Sequence, residues 1–147
     1  MRHKVDGRLF GRPSNQRKAL LRGLVTALFE HQRIETTVAK AKETKRIAEK
    51  LVTFGIKGDL HSKRQVLSYV TDQNAAFRLF NEIAPRFTGR NGGYLRLIHT
   101  RQRLKDSADM AVLEFVDYEQ VKKPKGKAAK AEKAEKKETK EAKEKQS

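Results

Sequence analysis

Residues 14–54 read SNQRKALLRGLVTALFEHQRIETTVAKAKETKRIAEKLVTF. Leu20, Leu21, Leu24, Val25, Leu28 and Phe29 recur at i, i+1, i+4 and i+5, which lays one apolar stripe along a helix. This spacing predicts a helix over about 15–31, with Ser14 as its cap. RIETT at 33–37 is short and rich in β-branched residues, the pattern of a strand. Thr36 or Thr37 can cap a second helix running through about Phe54, with Val38, Ala41, Ala48, Leu51 and Val52 on its apolar side and Ile47 beside them. Gly55 and Gly58 are expected to stop it.

Working outward, two shorter helices are expected near 60–70, with Val66, Leu67 and Val70 inward, and near 72–84, with Phe77, Phe80, Ile83 and Ala84 inward. Asp72 is a good cap and Pro85 a stop. Tyr94–Thr100 and Met110–Tyr118 read as an antiparallel hairpin joined by a polar, basic loop. The expected plan is α+β: one compact domain over 14–118, with about four helices and a small sheet. The chain's 147 residues are enough for one core, so the fold needs neither disulfide nor structural metal.

The flanks differ. Residues 1–13, MRHKVDGRLFGRP, hold Arg2, Lys4, Arg8 and Arg12 among Gly7, Gly11 and Pro13, an extended basic arm. Beyond 118 the composition changes abruptly: Gln120–Ser147 has 11 Lys and 5 Glu, and Val121 is its only large apolar residue. Nothing there can build a core, so 119–147 reads as a disordered tail. Its bland role is a solubilising appendage, and the alternative is a binding arm.

Charge is the strongest bulk property. The whole chain carries +16, and removing the tail's +6 leaves +10 on residues 1–119. Such a field seeks a polyanion, for which nucleic acid is the commonest source. A membrane partner is disfavoured: there is no Trp, no signal-like apolar run and no stretch near spanning length. The absence of Cys fits a reducing compartment, and the expected location is the cytoplasm.

Catalysis and metal binding have no visible constellation. His3, His31, His61 and His99 are scattered, no pair lies at zinc-ligand spacing, and no HExxH, GxSxG or P-loop pattern occurs. Gly7 and Gly11, and Gly89, Gly92 and Gly93, read as turns, because neither set follows a strand and opens a helix. Glu30, Glu43 and Glu49 sit among cations at helical spacing, as intrahelical ion pairs do. The expectation is therefore a protein without enzymatic activity, cofactor or small-molecule substrate.

What remains is the basic surface. Arg2, Lys4, Arg8, Arg12, Arg17, Lys18 and Arg22 face one acid, Asp6. The cations at the start of the first helix oppose its dipole, each by a few tenths of a kcal/mol (about 0.3 or more), and a phosphate partner removes that conflict. Lys40, Lys42, Lys45 and Arg46 line the second helix, partly offset by Glu35, Glu43 and Glu49. From Pro85 to Lys105 there is no acid, while Arg86, Arg90, Arg96, Arg101 and Arg103 accumulate. Arginine suits phosphate because its planar fork donates two parallel hydrogen bonds. Tyr94 reads as core. Phe10 stays open between packing and stacking on an unpaired base.

At several points the chain resembles a known family, the bacterial large-subunit ribosomal protein numbered seventeen. The resemblance covers roughly 1–118 and rests on RHK at 2–4, GRLFGR at 7–12, RKALLRGL at 17–24, RIETTVAKAKE at 33–43, EIAPRF at 82–87 and GGYLRL at 92–97. Pro13 departs from the polar residue usual in that family. The resemblance implies an α+β fold with a small mixed sheet and a structural role in the large ribosomal subunit. It further implies binding to large-subunit ribosomal RNA near the exit of the nascent-peptide tunnel, beside neighbouring ribosomal proteins. By residue, it places the RNA-contacting arm at Arg2, His3, Lys4, Arg8 and Arg12, continuing to Arg17, Lys18 and Arg22. The cations of the second helix and the hairpin region are secondary. The rival classes are a nucleoid-type DNA-binding protein with a lysine-rich tail, and an RNA-modifying enzyme, which needs a cofactor pocket.

Overall fold

The computed structural model describes residues 7–118. The tail at 119–147 and the arm residues Arg2, His3 and Lys4 lie outside the described residues. Helix α1 spans Ser14–His31, β1 Arg33–Thr37, α2 Val38–Lys57, α3 Leu60–Tyr69 and α4 Gln73–Arg78. A single π turn, Leu79–Ile83, carries α4 into the three-residue α5, Ala84–Arg86. Strands β2, Leu95–Gln102, and β3, Asp109–Phe115, complete the domain.

The sheet has the order β1-β3-β2. Both pairings are antiparallel, where the resemblance implied a mixed sheet. No strand pair here needs the long crossover that parallel pairing requires. The β2–β3 hairpin forms as expected, with a register irregularity between His99 and Gln102. One sheet face carries Leu95, Leu97, Ala111, Leu113 and Phe115 into the core, with Ile34 packed beside them. Helix α2 packs against all three strands and against α3, α5 and the π turn, and its buried residues are Ala41, Thr44, Ala48, Leu51, Val52 and Gly55, mostly at three- and four-residue intervals. Phe115 stacks on Phe29 at 6.4 Å between ring centroids and meets Phe87 at 5.9 Å, and Phe87 meets Tyr94 edge-on at 5.3 Å. Tyr94 is thus core, as expected, and its hydroxyl donates to the Arg90 carbonyl at 3.1 Å.

Several element boundaries depart from the sequence reading. Pro13, not Ser14, occupies the cap position of α1, without a side-chain cap bond. Thr37 caps α2 by position, also without a side-chain bond. Gly55 does not stop α2; the left-handed cap is Gly58, at φ 66°. Gly55 is buried inside the helix, where an added Cβ would lie 3.3 Å from Ala84 Cβ and 3.4 Å from Leu79 Cγ. Pro85 does not end the fourth helix either. In the π turn before it, the Ala84 N–H donates to the Leu79 carbonyl five residues back. Pro85 then falls in the first turn of α5, where its missing N–H costs nothing. Asp72 caps α4 as expected, accepting from the N–H groups of Asn74 and Ala75.

Two expected core residues are on the surface. Phe77 is 62% exposed and Leu67 49%. Ile83 and Ala84 are buried as expected, and Ala75, Ala76 and Leu79 are buried as well. The small alanines let α4 approach α1, so the larger aromatic faces out and, with Leu67 and the half-buried Phe80, lines a groove between α3 and α4.

Candidate nucleic-acid interface

The arm, the start of α2 and the hairpin turn, far apart in sequence, border one cleft. Arg8 borders a cleft with Thr37, Val38 and Ala39 at the start of α2 and with Ala108 and Asp109 at the hairpin turn. Arg8 Nε lies 4.0 Å from Glu43 Oε1, and Arg46 Nη1 lies 3.9 Å from Glu43 Oε2. One carboxylate on α2 thereby holds the arm against the helix. A turn closed by the Arg12 N–H on the Leu9 carbonyl, 3.2 Å, bends the arm. Phe10 sits in that turn at φ 56°, half-buried. Arg17 Nη1 reaches the Arg12 carbonyl at 3.5 Å, which links the arm to the start of α1. Lys18 and Lys42 are exposed. Lys45 pairs with Glu49 at 3.8 Å, and Lys40 is half-buried.

The hairpin adds a stiffened tip. Arg103 forms a two-bond fork with Asp106, Nε to Oδ1 at 2.8 Å and Nη2 to Oδ2 at 2.7 Å. Those bonds hold the Asp106 carboxyl below its ordinary range and raise the Arg103 guanidinium, so the pair stays ionised at neutral pH. Leu104 beside it is 96% exposed. Arg101 lies 3.7 Å from Glu35 of β1.

Not every candidate lies near this cleft. Arg86 donates to the Glu82 carbonyl and Arg90 to the Gly92 carbonyl. Both precede β2, whose 8 residues separate them from the hairpin turn by roughly 25 Å at about 3.4 Å per residue. Arg22 is half-buried with its guanidinium 5.6 Å from the centre of the Tyr69 ring, a contact with the body of the fold. Desolvation pushes the Tyr69 hydroxyl up, with the Arg22 charge opposing.

Sequence reasoning missed Arg33, Arg78 and Glu114. Arg78 donates through Nη1 to the Glu30 carbonyl, tying α4 to α1. Glu114 is 3% exposed and holds both Arg33 and Arg96. Its signal was available: a lone carboxylate inside the apolar run MAVLEF of a strand needs a cationic partner when buried.

The family model for ribosomal protein L17 matches residues 20–116. The chain belongs to the ribosomal protein L17 family. The large ribosomal subunit protein bL17 of Thermodesulfovibrio yellowstonii is 63% identical over 123 residues, covering 84% of this chain and 92% of that one. The bL17 proteins of Desulfotalea psychrophila and Symbiobacterium thermophilum are 52% and 55% identical, covering 82% and 72% of this chain and 93% and 94% of theirs. The L17 match takes in α1 from Leu20 onward, α2 and every strand, while Arg8, Arg12, Arg17 and Lys18 precede it. No helix among the described residues is long and apolar enough to cross a membrane, and no group of three or more His, Asp or Glu among them is arranged to hold a metal ion.

Proposed function

We propose that the protein is a structural, non-catalytic constituent of the large ribosomal subunit in the cytoplasm. In this reading it binds large-subunit ribosomal RNA near the exit of the peptide tunnel, beside neighbouring ribosomal proteins. The observation that carries the RNA-binding reading is the convergence of arm, α2 start and hairpin turn around one cleft. Arg8 is the cation that lines this cleft, and the proposal adds the cations beside it in sequence on α2 and at the hairpin turn. The membership of the L17 family, and the large-subunit name of its relatives, supply the particle.

The RNA contacts proposed are Arg2, His3, Lys4, Arg8, Arg12, Arg17, Lys18 and Arg22, then Lys40, Lys42, Lys45 and Arg46, then Arg86, Arg90, Arg96, Arg101 and Arg103. Their work is to neutralise phosphates and fix RNA shape, with no bond made or broken. The arm at 1–13 acts as a binding element on the domain at 14–118, with 119–147 as a solvated tail. Sedimentation tests the reading: tagged protein in gently lysed cells is expected with large subunits, and recovery only in the soluble fraction overturns it. Competition of folded ribosomal RNA against duplex DNA for the purified protein separates it from a nucleoid role.

A further inference from the structure

The central strand presents a charged row on the face of the sheet turned away from the core. In the strand register Glu114 of β3 stands directly between Arg33 of β1 and Arg96 of β2. Residues opposite each other in a sheet share a face, and the alternate residues Leu113 and Phe115 belong to the core. Glu114 therefore points away from the core, yet its side chain is only 4% exposed. Arg96 grips one carboxylate oxygen, Nε at 2.8 Å and Nη2 at 2.7 Å. Arg33 Nε lies 3.5 Å from the other oxygen, and its guanidinium sits 6.0 Å from the centre of the Tyr118 ring. The two arginine side chains keep 36% and 50% of their exposure. The trio thus holds two fixed, accessible guanidiniums over one carboxylate and keeps a net positive charge.

We propose that Arg33 and Arg96, aligned by Glu114, form a phosphate-binding fork for the backbone of ribosomal RNA on this open sheet face. The proposal rests on the RNA-binding reading above and extends it to a second surface. A guanidinium has more N–H donors than one carboxylate contact uses, so each arginine retains donors for a phosphate. Glu114 is a positioning residue: holding both side chains in place before binding lowers the ordering cost on association.

The sign of one substitution separates this from simple charge pairing. Glu114→Gln raises the net charge by one, which alone strengthens binding to a polyanion. Positioning predicts the reverse, an affinity loss of about tenfold, measured with full-length protein and folded, transcribed large-subunit ribosomal RNA. A double variant, Arg33→Lys with Arg96→Lys, keeps the charge and loses the planar forks; weaker binding is again expected, and it serves where the glutamine variant does not fold. Folded variants that bind as tightly as the wild type, or tighter, overturn this proposal alone. Wild-type protein that ignores the RNA at low salt overturns the parent reading as well.

Discussion

Thr44 is fully buried on α2, and its hydroxyl has no hydrogen-bond partner. Helical threonines usually satisfy this group by donating to the carbonyl four residues back, as Thr26 does to Arg22 and Thr53 to Glu49, both at 3.0 Å. Thr44 does not, and it lies between the buried Ala41 and Ala48. Thr44→Val removes a desolvated polar atom while keeping the shape. It is expected to raise stability by about 1 kcal/mol, a melting increase of roughly 4 °C for a domain of this size. Thr26→Val, at a half-buried position with its bond made, is expected to bring no such gain. Thermal melts of the two variants check the contrast, and a T44V protein that melts below wild type contradicts it.

Among the elements, α2 depends most on one small residue. Gly55 lies against Leu79 and Ala84, so the π turn and α5 approach the helix closely there. Glycine inside a helix costs about 1 kcal/mol relative to alanine, and this close approach is the compensation. Gly55→Ala should come out near neutral, because the gain in helix propensity offsets a contact a few tenths of an ångström too tight. Gly55→Leu should destabilise by about 2–3 kcal/mol, since its branches enter a packed interface; chemical denaturation of both variants distinguishes them. The same residue shows where sequence reading stops. Apolar spacing revealed α1, α2 and the hairpin, because periodicity reports which face is buried. It gave the wrong role to Gly55 and Pro85, because a glycine used for close approach, or a proline behind a π turn, looks like a stop until its neighbour is known. Phe77 and Leu67 were misplaced for a related reason: size favoured burying them, but α4 buries Ala75 and Ala76, and α3 buries Ser62 and Val66. The site divides likewise. Charge composition pointed to the arm and the α2 cations as candidates. It did not reveal that Glu43 draws Arg8 and Arg46 together, or that Glu114 recruits Arg33, since cross-strand and arm-to-helix pairings exist only in the fold.

On the scale of the whole molecule, the described part of the arm lies outside the buried core. Among the described residues the buried core contains none before Val25, and the described part of the arm touches the domain through surface contacts such as the 4.0 Å pair of Arg8 with Glu43. Surface pairs with one exposed partner at this separation contribute about 1 kcal/mol or less. Removing residues 1–12 leaves Pro13 in place at the start of α1 and takes away Arg2, Lys4, Arg8 and Arg12. The shortened protein should unfold as cooperatively as the full chain, with a stability change of about 1 kcal/mol at most. Its RNA binding should change in a more specific way. Each neutralised phosphate steepens the fall of affinity with salt by about 0.7–0.9 on a log–log scale, so losing four cations should flatten that slope by roughly 3. Binding titrations across a salt series, set beside denaturation of the same sample, measure both quantities. A truncated protein that keeps the full slope would move the phosphate contacts off the arm and onto the domain, and one that no longer melts cooperatively would make the arm part of the fold.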